Sequence, residues 1–311
     1  MTVYTVGTRG SRLSLAQTGH VLDALKEANP EDEYKVRRIK TQGDTDDRPL
    51  FAIDQKGIFE KEIDRAVSEG GADFAVHSLK DVPTELAPGL VLACVPRRAA
   101  ANDVLVSPGG SGLGSLPRGA TVGTSSLRRA VQVGRSRSDL HVKPVRGNIE
   151  TRIAKVGAGY DAVVLAEAGI SRLGLDVKYA ALPEESFAPS PGQGSLALVA
   201  RSGDAGTISM LNRIEDAASR AEAEAERALS ERIGSGCRFP VGALARSAGE
   251  LLTIRAEAFS VDGSRSVSVQ ASGPRGSPRK VGESAGNEML ERGAGDLALN
   301  WREKVDEWNR S

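Results

Sequence analysis

Twice along this chain a short apolar strand runs into Gly-Thr and then into hydroxyl and arginine side chains that open a helix. The first occurrence is Val6-Gly7-Thr8-Arg9-Gly10-Ser11-Arg12, and the second is Val122-Gly123-Thr124-Ser125-Ser126-Leu127-Arg128-Arg129. A repeated strand–turn–helix opening points to two similarly built α/β units, each presenting a helix N-terminus to a shared cleft. Unpaired N–H groups and the positive end of the helix dipole favour an anion at such a place. A hydroxyl N-cap is the ordinary alternative, and the loading of both segments with arginine favours the anion. Neither segment has the Gly-Lys-Ser/Thr of a P-loop or the dinucleotide glycine fingerprint.

Around these two points, strand-like and helix-like stretches alternate. Residues 3–6 and 34–39 read as strands, the second with Val36 and Ile39 as its apolar members. Residues 14–28 read as a helix carrying Leu15, Val21, Leu22 and Leu25, and residues 58–68 as a helix carrying Phe59, Ile63, Ala66 and Val67. Strands follow at 74–76, 90–95, 141–145, 161–166 and 195–200. A long helix over 215–232 comes next, then strands at 251–259 and 266–270. Residues 265–277, rich in Ser, Gly and Arg, read as an exposed turn, and helical stretches over 288–308 are interrupted by Gly293 and Gly295. Ala188-Pro189-Ser190-Pro191-Gly192-Gln193-Gly194 reads as a crossover linker. The expected organisation is therefore residues 1–98 plus 194–214, residues 99–193, and a small third α/β domain over 215–311.

Charge excludes some function classes. The 41 basic and 41 acidic residues cancel, so no overall field draws nucleic acid or a membrane surface. Aromatics are only 4% of the chain, too few for base stacking to be a main activity. No run of 18 apolar residues exists, and the first residues lack the layout of a signal peptide. The expectation is a cytoplasmic monomer that binds a small molecule, with no nucleic-acid or membrane partner. Its anion binding must then come from locally clustered arginines.

Those arginines can be named. Arg146 and Arg152 sit in Arg146-Gly147-Asn148-Ile149-Glu150-Thr151-Arg152, and Arg172 follows Gly169-Ile170-Ser171. With Arg9, Arg128 and Arg129 they form a candidate lining for a polycarboxylate, because the planar guanidinium makes paired, charge-assisted hydrogen bonds. In Ala75-Val76-His77-Ser78-Leu79-Lys80-Asp81-Val82-Pro83 an apolar strand ends in a charged pair. Ligand sites of open α/β sheets gather at the carboxyl ends of strands. There Asp81 is suited to stabilising a transient cation or shuttling protons, and Lys80 to holding that carboxylate ionised or binding an anion. His77, far in sequence from His20 and His141, reads as structural, and no metal-ligand spacing appears.

The two cysteines have different settings and do not suggest a disulfide. Cys94, in Leu90-Val91-Leu92-Ala93-Cys94-Val95, reads as a small core hydrophobe. Cys237, in Gly234-Ser235-Gly236-Cys237-Arg238-Phe239-Pro240, lies on a glycine-punctuated loop with room for a covalent group, and Arg238 favours its thiolate.

Taken together, these segments resemble the hydroxymethylbilane synthase (porphobilinogen deaminase) family. The matching motifs, in family order, stand at 7–11, 56–62 (Lys-Gly-Ile-Phe-Glu-Lys-Glu), 75–83, 122–129, 146–152, 165–175, 191–194 and 234–242. The resemblance implies three domains, the first two built like two-lobed periplasmic binding proteins. It also implies a dipyrromethane cofactor joined by thioether to Cys237. The implied reaction is that of a transferase: four porphobilinogen units are deaminated and condensed head to tail on this primer, and water releases hydroxymethylbilane. By the same resemblance Asp81 is catalytic, and Arg9, Ser11, Arg152 and Arg172 hold substrate carboxylates. Lys80, Ser126, Arg128, Arg129 and Arg146 hold the cofactor. Two departures from the family pattern, Ala99-Ala100-Ala101 at the first crossover and Val199, bear on the hinge more than on the chemistry. A non-catalytic anion-binding module would explain the arginines but leave Cys237 without a role. A thiol hydrolase would need a histidine beside that cysteine.

Overall fold

The computed structural model describes residues 1–41, 60–234 and 240–297. In chain order the first group of elements is β1 (Val3–Arg9), α1 (Arg12–Ala28), β2 (Glu33–Ile39), α2 (Lys61–Ser68), β3 (Phe74–Ser78) and β4 (Leu90–Cys94). The second is β5 (Asp103–Val106), β6 (Thr121–Gly123), α3 (Leu127–Ser136), β7 (His141–Lys143), α4 (Ile149–Ile153), β8 (Ala162–Ala166), α5 (Glu167–Arg172) and β9 (Tyr179–Ala181). The chain then returns through β10 (Leu196–Arg201), α6 (Ala205–Leu211) and α7 (Ala217–Arg232). It continues with β11 (Val241–Ala248), β12 (Leu251–Phe259), β13 (Ser266–Pro274), α8 (Pro278–Glu291) and α9 (Ala294–Leu297).

Two five-stranded sheets share one topology. Their orders are β2-β1-β3-β10-β4 and β7-β6-β8-β5-β9. In each, the strand carrying the Gly-Thr motif (β1 or β6) lies between two parallel neighbours, and the fourth position is filled by an antiparallel strand. That antiparallel strand is β10 in one sheet and β5 in the other, each being the first strand after the chain crosses between the two. The echo read from the sequence is thus a repeat of structure, and the result is a two-lobed α/β frame. The shared glycine has the same reason in both lobes. A Cβ on Gly7 would stand 3.2 Å from the Ile63 side chain, and one on Gly123 would stand 2.8 Å from the Tyr160 ring.

The cores follow from the apolar spacing. On one face of the first sheet, Val21, Leu22 and Leu25 of α1 pack with Phe74, Val76 and Leu198. On the other face, Ile63 and Val67 of α2 pack with Ala75, Leu90 and Val199. Val199 is therefore a core residue of the first sheet, away from the crossovers. Cys94 is fully buried, as expected of a small hydrophobe, and burial pushes its thiol up, with Glu215 adding to the effect. The third unit is an antiparallel sheet, β11-β12-β13, whose inner face (Ala243, Leu252, Ile254) packs on Leu229 of α7 and on Val281 and Met289 of α8.

Several expectations need correction. Val36 is 46% exposed, because β2 is an edge strand with little above it. Most of 265–277, read as an exposed turn, is β13, paired along its whole length with β12. Helix α8 begins at Pro278, well before the expected 288. Its Gly282 and Gly286 lower helix propensity, but both lie against α7: a Cβ on Gly282 would stand 2.1 Å from the Ala225 carbonyl. The short strands β5 and β9 and the eight-residue β11 were not anticipated. Residues 58 and 59 of the expected helix over 58–68, and its final stretch over 298–308, lie outside the described residues.

The two crossing segments run side by side. The Ala99 N–H donates to the Gly194 carbonyl at 3.1 Å, and Gly194 adopts φ +87°. A Cβ there would meet the Ala99 and Ala100 carbonyls, so small residues at 99–101 suit this close approach. Glu226 of α7 joins both crossings to the third unit. Its buried carboxylate accepts from Arg98 Nη1 at 2.6 Å, from the Gly192 N–H, and from the Ala245 N–H of β11 at 2.8 Å.

Candidate active site

β3 ends in a single 3-10 turn, Leu79–Asp81, from which Lys80 and Asp81 project while Leu79 is buried. Gly192, at φ +75°, lies so close that a Cβ would stand 3.0 Å from the Lys80 backbone nitrogen. The second crossing therefore packs directly against the catalytic candidate's turn.

One cavity brings together Arg9 from the end of β1, Ser11 from the start of α1, and Asp81. Glu60, Gln17 and His77 also line it. Ser11 is the N-cap of α1 and accepts from the Ser14 N–H at 3.2 Å. Gln17 donates to Ser78 Oγ at 2.8 Å, which locks α1 to the end of β3. His77 Nε2 lies 3.1 Å from Asp64 Oδ1, with both side chains buried, so this histidine ties β3 to α2.

Deeper in, between the lobes, lies a cluster of buried charge. Ser126 caps α3 and accepts from the Arg129 N–H, which sets the first turn so that Arg128 and Arg129 both reach Asp103 at the head of β5. Arg128 Nη2 is 2.7 Å from Asp103 Oδ2, and Arg129 Nη2 is 2.7 Å from Asp103 Oδ1. Arg128 also donates to the Ala188 carbonyl. Gln193 bridges the lobes: its Nε2 donates to Asp103 at 2.8 Å and its Oε1 accepts from Lys80 Nζ at 3.3 Å.

The balance of this cluster is cationic. Burial alone would raise the Asp103 carboxyl, but the two guanidiniums overcome it and hold the group well below the carboxylate range. Lys80 shows the surplus. Burial, helped by Arg129, draws its ammonium down to about 8, against the opposing pull of Asp81 and Asp103. Burial draws Arg152 down to about 10, with Arg129 adding to it, and burial likewise draws Arg172 down to about 10. Three cations around one carboxylate fit a ligand that brings several negative charges.

The remaining candidates are spread along the second lobe. Arg152 Nε donates to the Gly147 carbonyl at 2.8 Å, and Arg172 Nη2 donates to the Gly194 carbonyl at 2.6 Å. Arg146 is exposed. Cys237, with residues 235–239, lies outside the described residues, as do Lys56 to Phe59 of the 56–62 motif. Asp103, Gln193 and Glu60 were not singled out from sequence. The signal for Asp103 was a lone acid heading the wholly apolar Val104-Leu105-Val106.

Lys80 carries a prediction. A carboxylate ligand should bind with full strength below pH 8 and more weakly as the pH rises through about 8, where Lys80 loses its charge. Above that point, binding should be accompanied by proton uptake, because a bound anion raises the lysine again. Dissociation constants across pH 6.5–9.5 check this, and Lys80→Arg should flatten the profile.

A family model described as "Porphobilinogen deaminase, dipyromethane cofactor binding domain" matches residues 4–209. A second, "Porphobilinogen deaminase, C-terminal domain", matches residues 220–291. A probable porphobilinogen deaminase of Nitrosopumilus maritimus is 61% identical over 309 residues, covering 99% of both chains. A probable porphobilinogen deaminase of Hyperthermus butylicus is 46% identical, covering 91% of this chain and 95% of the relative. The porphobilinogen deaminase of Roseiflexus castenholzii is also 46% identical, covering 93% and 96%. Among solved structures, the BenM effector-binding domain with benzoate aligns with 68% of this chain and 90% of its own, at 12% identity and a TM-score of 0.42, too loose a likeness to carry more. With two family models in sequence order and relatives matched from end to end, the chain belongs to the porphobilinogen deaminase family.

Proposed function

We propose that the chain is a hydroxymethylbilane synthase that polymerises porphobilinogen on a covalently held dipyrromethane primer. The observation that carries this reading is the pairing of one cleft holding Asp81, Arg9 and Ser11 with the cationic cluster of Lys80, Arg128 and Arg129 behind it. Each turnover joins four porphobilinogen units, releases four ammonia molecules and takes up one water.

The residues fit the primer. Built from two substrate units, each with an acetate and a propionate, it brings several carboxylates to a cluster whose buried charges sum to positive. When joined by thioether to Cys237, it supplies the pyrrole carbon to which the first unit is added. Lys80, Ser126, Arg128, Arg129 and Arg146 would hold it, and Arg9, Ser11, Arg152 and Arg172 would hold the carboxylates of the incoming unit. Porphobilinogen loses its amino group when the C–N bond breaks with its electron pair on nitrogen, the pyrrole nitrogen supplying electrons to the ring. The product is a cation, and the carboxylate of Asp81 stabilises it. Holding every condensation in one cleft replaces repeated encounters by positioned ones.

The proposed domains are residues 1–98 plus 194–214, 99–193 and 215–311, with a cytoplasmic monomer as the working form. Among the described residues no helix is long and apolar enough to cross a membrane. A denatured intact mass with peptide mapping tests the function. An adduct of two deaminated porphobilinogen units on the peptide holding Cys237, absent from Cys237→Ser, is the expected result. A bare Cys237 after incubation with porphobilinogen would sink the proposal.

A further inference from the structure

We propose that Arg227 of α7 is a positioning residue for Asp81, so that the third unit takes part in the reaction through the turn that carries this carboxylate. The inference rests on the function proposed above and assigns a role to a residue outside the cleft. The Asp81 side chain is exposed on its turn, so the backbone on which it stands decides where its charge lies.

That backbone is seated on α7. Leu79 and Val82, which flank Lys80 and Asp81, are buried in one cluster with Ala223 of the helix. The Val82 N–H closes the turn on the Leu79 carbonyl at 3.1 Å. Four residues on from Ala223, and so on the same face of the helix, stands Arg227. Its Nη1 donates to the Val82 carbonyl at 3.3 Å, and its Nη2 donates to the Pro83 and Thr84 carbonyls at 2.8 Å each. Three successive carbonyls directly after Asp81 are thus tied to one guanidinium. Glu226, the residue before, accepts from the Gly192 N–H, and Gly192 lies against the backbone nitrogen of Lys80. Two adjacent residues of α7 therefore hold the turn, one after Asp81 and the other, through the second crossing, before it.

Pairing along the helix does not account for this arginine. The acid one turn further on, Glu231, accepts from Arg279 at 2.8 Å, and the fork of Arg227 goes to carbonyls instead. A guanidinium suits the task, because its planar fork reaches neighbouring acceptors together and its charge strengthens each bond. Cys237 follows ten residues after Arg227 in the chain. The helix that leads to the primer's attachment point thus also fixes the carboxylate beside which each new bond is made.

Arg227→Leu should lower kcat for porphobilinogen by about ten- to hundredfold, the cost of misplacing a catalytic group by about 1 Å, while KM stays within about twofold. Its denatured mass should still show the primer, which reports a folded and loaded protein. Arg227→Lys, which keeps a charged donor, should recover part of the loss. A double-variant cycle separates positioning from general support. In Asp81→Asn, the further change Arg227→Leu should lower kcat by less than about twofold, because no carboxylate remains to be misplaced. Losses that multiply in the double variant, a kcat near the parent's, or a loss confined to KM would overturn the inference. If Arg227→Leu does not melt cooperatively, Arg227→Lys is carried through the same cycle and decides by the same criteria. A parent protein that fails to turn over porphobilinogen at all would instead overturn the function on which it rests.

Discussion

Asp81→Asn is expected to fold as the parent does and to lose about two to four orders of magnitude in kcat, the usual span for a positioned acid–base or charge-stabilising group. Asp81 is exposed on its 3-10 turn, so removing its charge has little to unfold. KM should change little if the carboxylate acts on the cation that forms during deamination and not on the bound substrate. A second effect follows from the neighbouring lysine. Asp81 is the first of the groups holding the Lys80 ammonium up, so the variant should begin to lose affinity for carboxylates at a pH below 8. Steady-state kinetics with a thermal melt checks the pair. Near-parental turnover would remove Asp81 from the mechanism.

Asp103→Ala should have the largest effect on stability. It leaves the Arg128 and Arg129 guanidiniums buried without their shared anion, and such a loss costs about 3–5 kcal/mol. That is a large fraction of the roughly 5–15 kcal/mol that holds a domain together. The pH dependence has a definite sign. The native Asp103 carboxyl binds its proton more weakly than in the unfolded chain, so its contribution is complete above about pH 4. It is lost as the pH falls toward the depressed native value. Urea unfolding at pH 7 and pH 3 should show the parent losing stability that Asp103→Asn lacks at both. A variant as stable as the parent at pH 7 would show that the guanidiniums find another counter-charge.

The lobes were legible because each rests on local signals: the Gly-Thr opening, the apolar runs of β3 and β8, and the helical spacing of α1. The antiparallel strands β5 and β9 were not, since strands of three or four residues carry too little alternation to stand out. Nor was α8, whose glycines contradict helix propensity until α7 is laid against them. Within the site, residue types were legible and partnerships were not. Nothing in the spacing of Arg128 and Arg129 shows that both close on an acid some 25 residues upstream. Ser11 and Ser126 read as anion ligands or as caps, with the neighbouring arginines favouring the anion, and both cap a helix. Glu60 stood inside a quoted motif, but its cavity is made by three separate segments and exists only when they meet.

Glu226 has a mechanical consequence. It grips both strands of chain that pass between the lobes and, on its other side, the first strand of the third unit. The third unit is therefore fastened to the pivot of a pair of jaws, with further contacts to each jaw through Arg227 and Arg135. A load carried at a pivot travels least when the jaws swing apart. Helix α7, which ends five residues before Cys237, is anchored at that still point. Under the proposed function, a product tethered at Cys237 would be rooted five residues beyond this anchored helix.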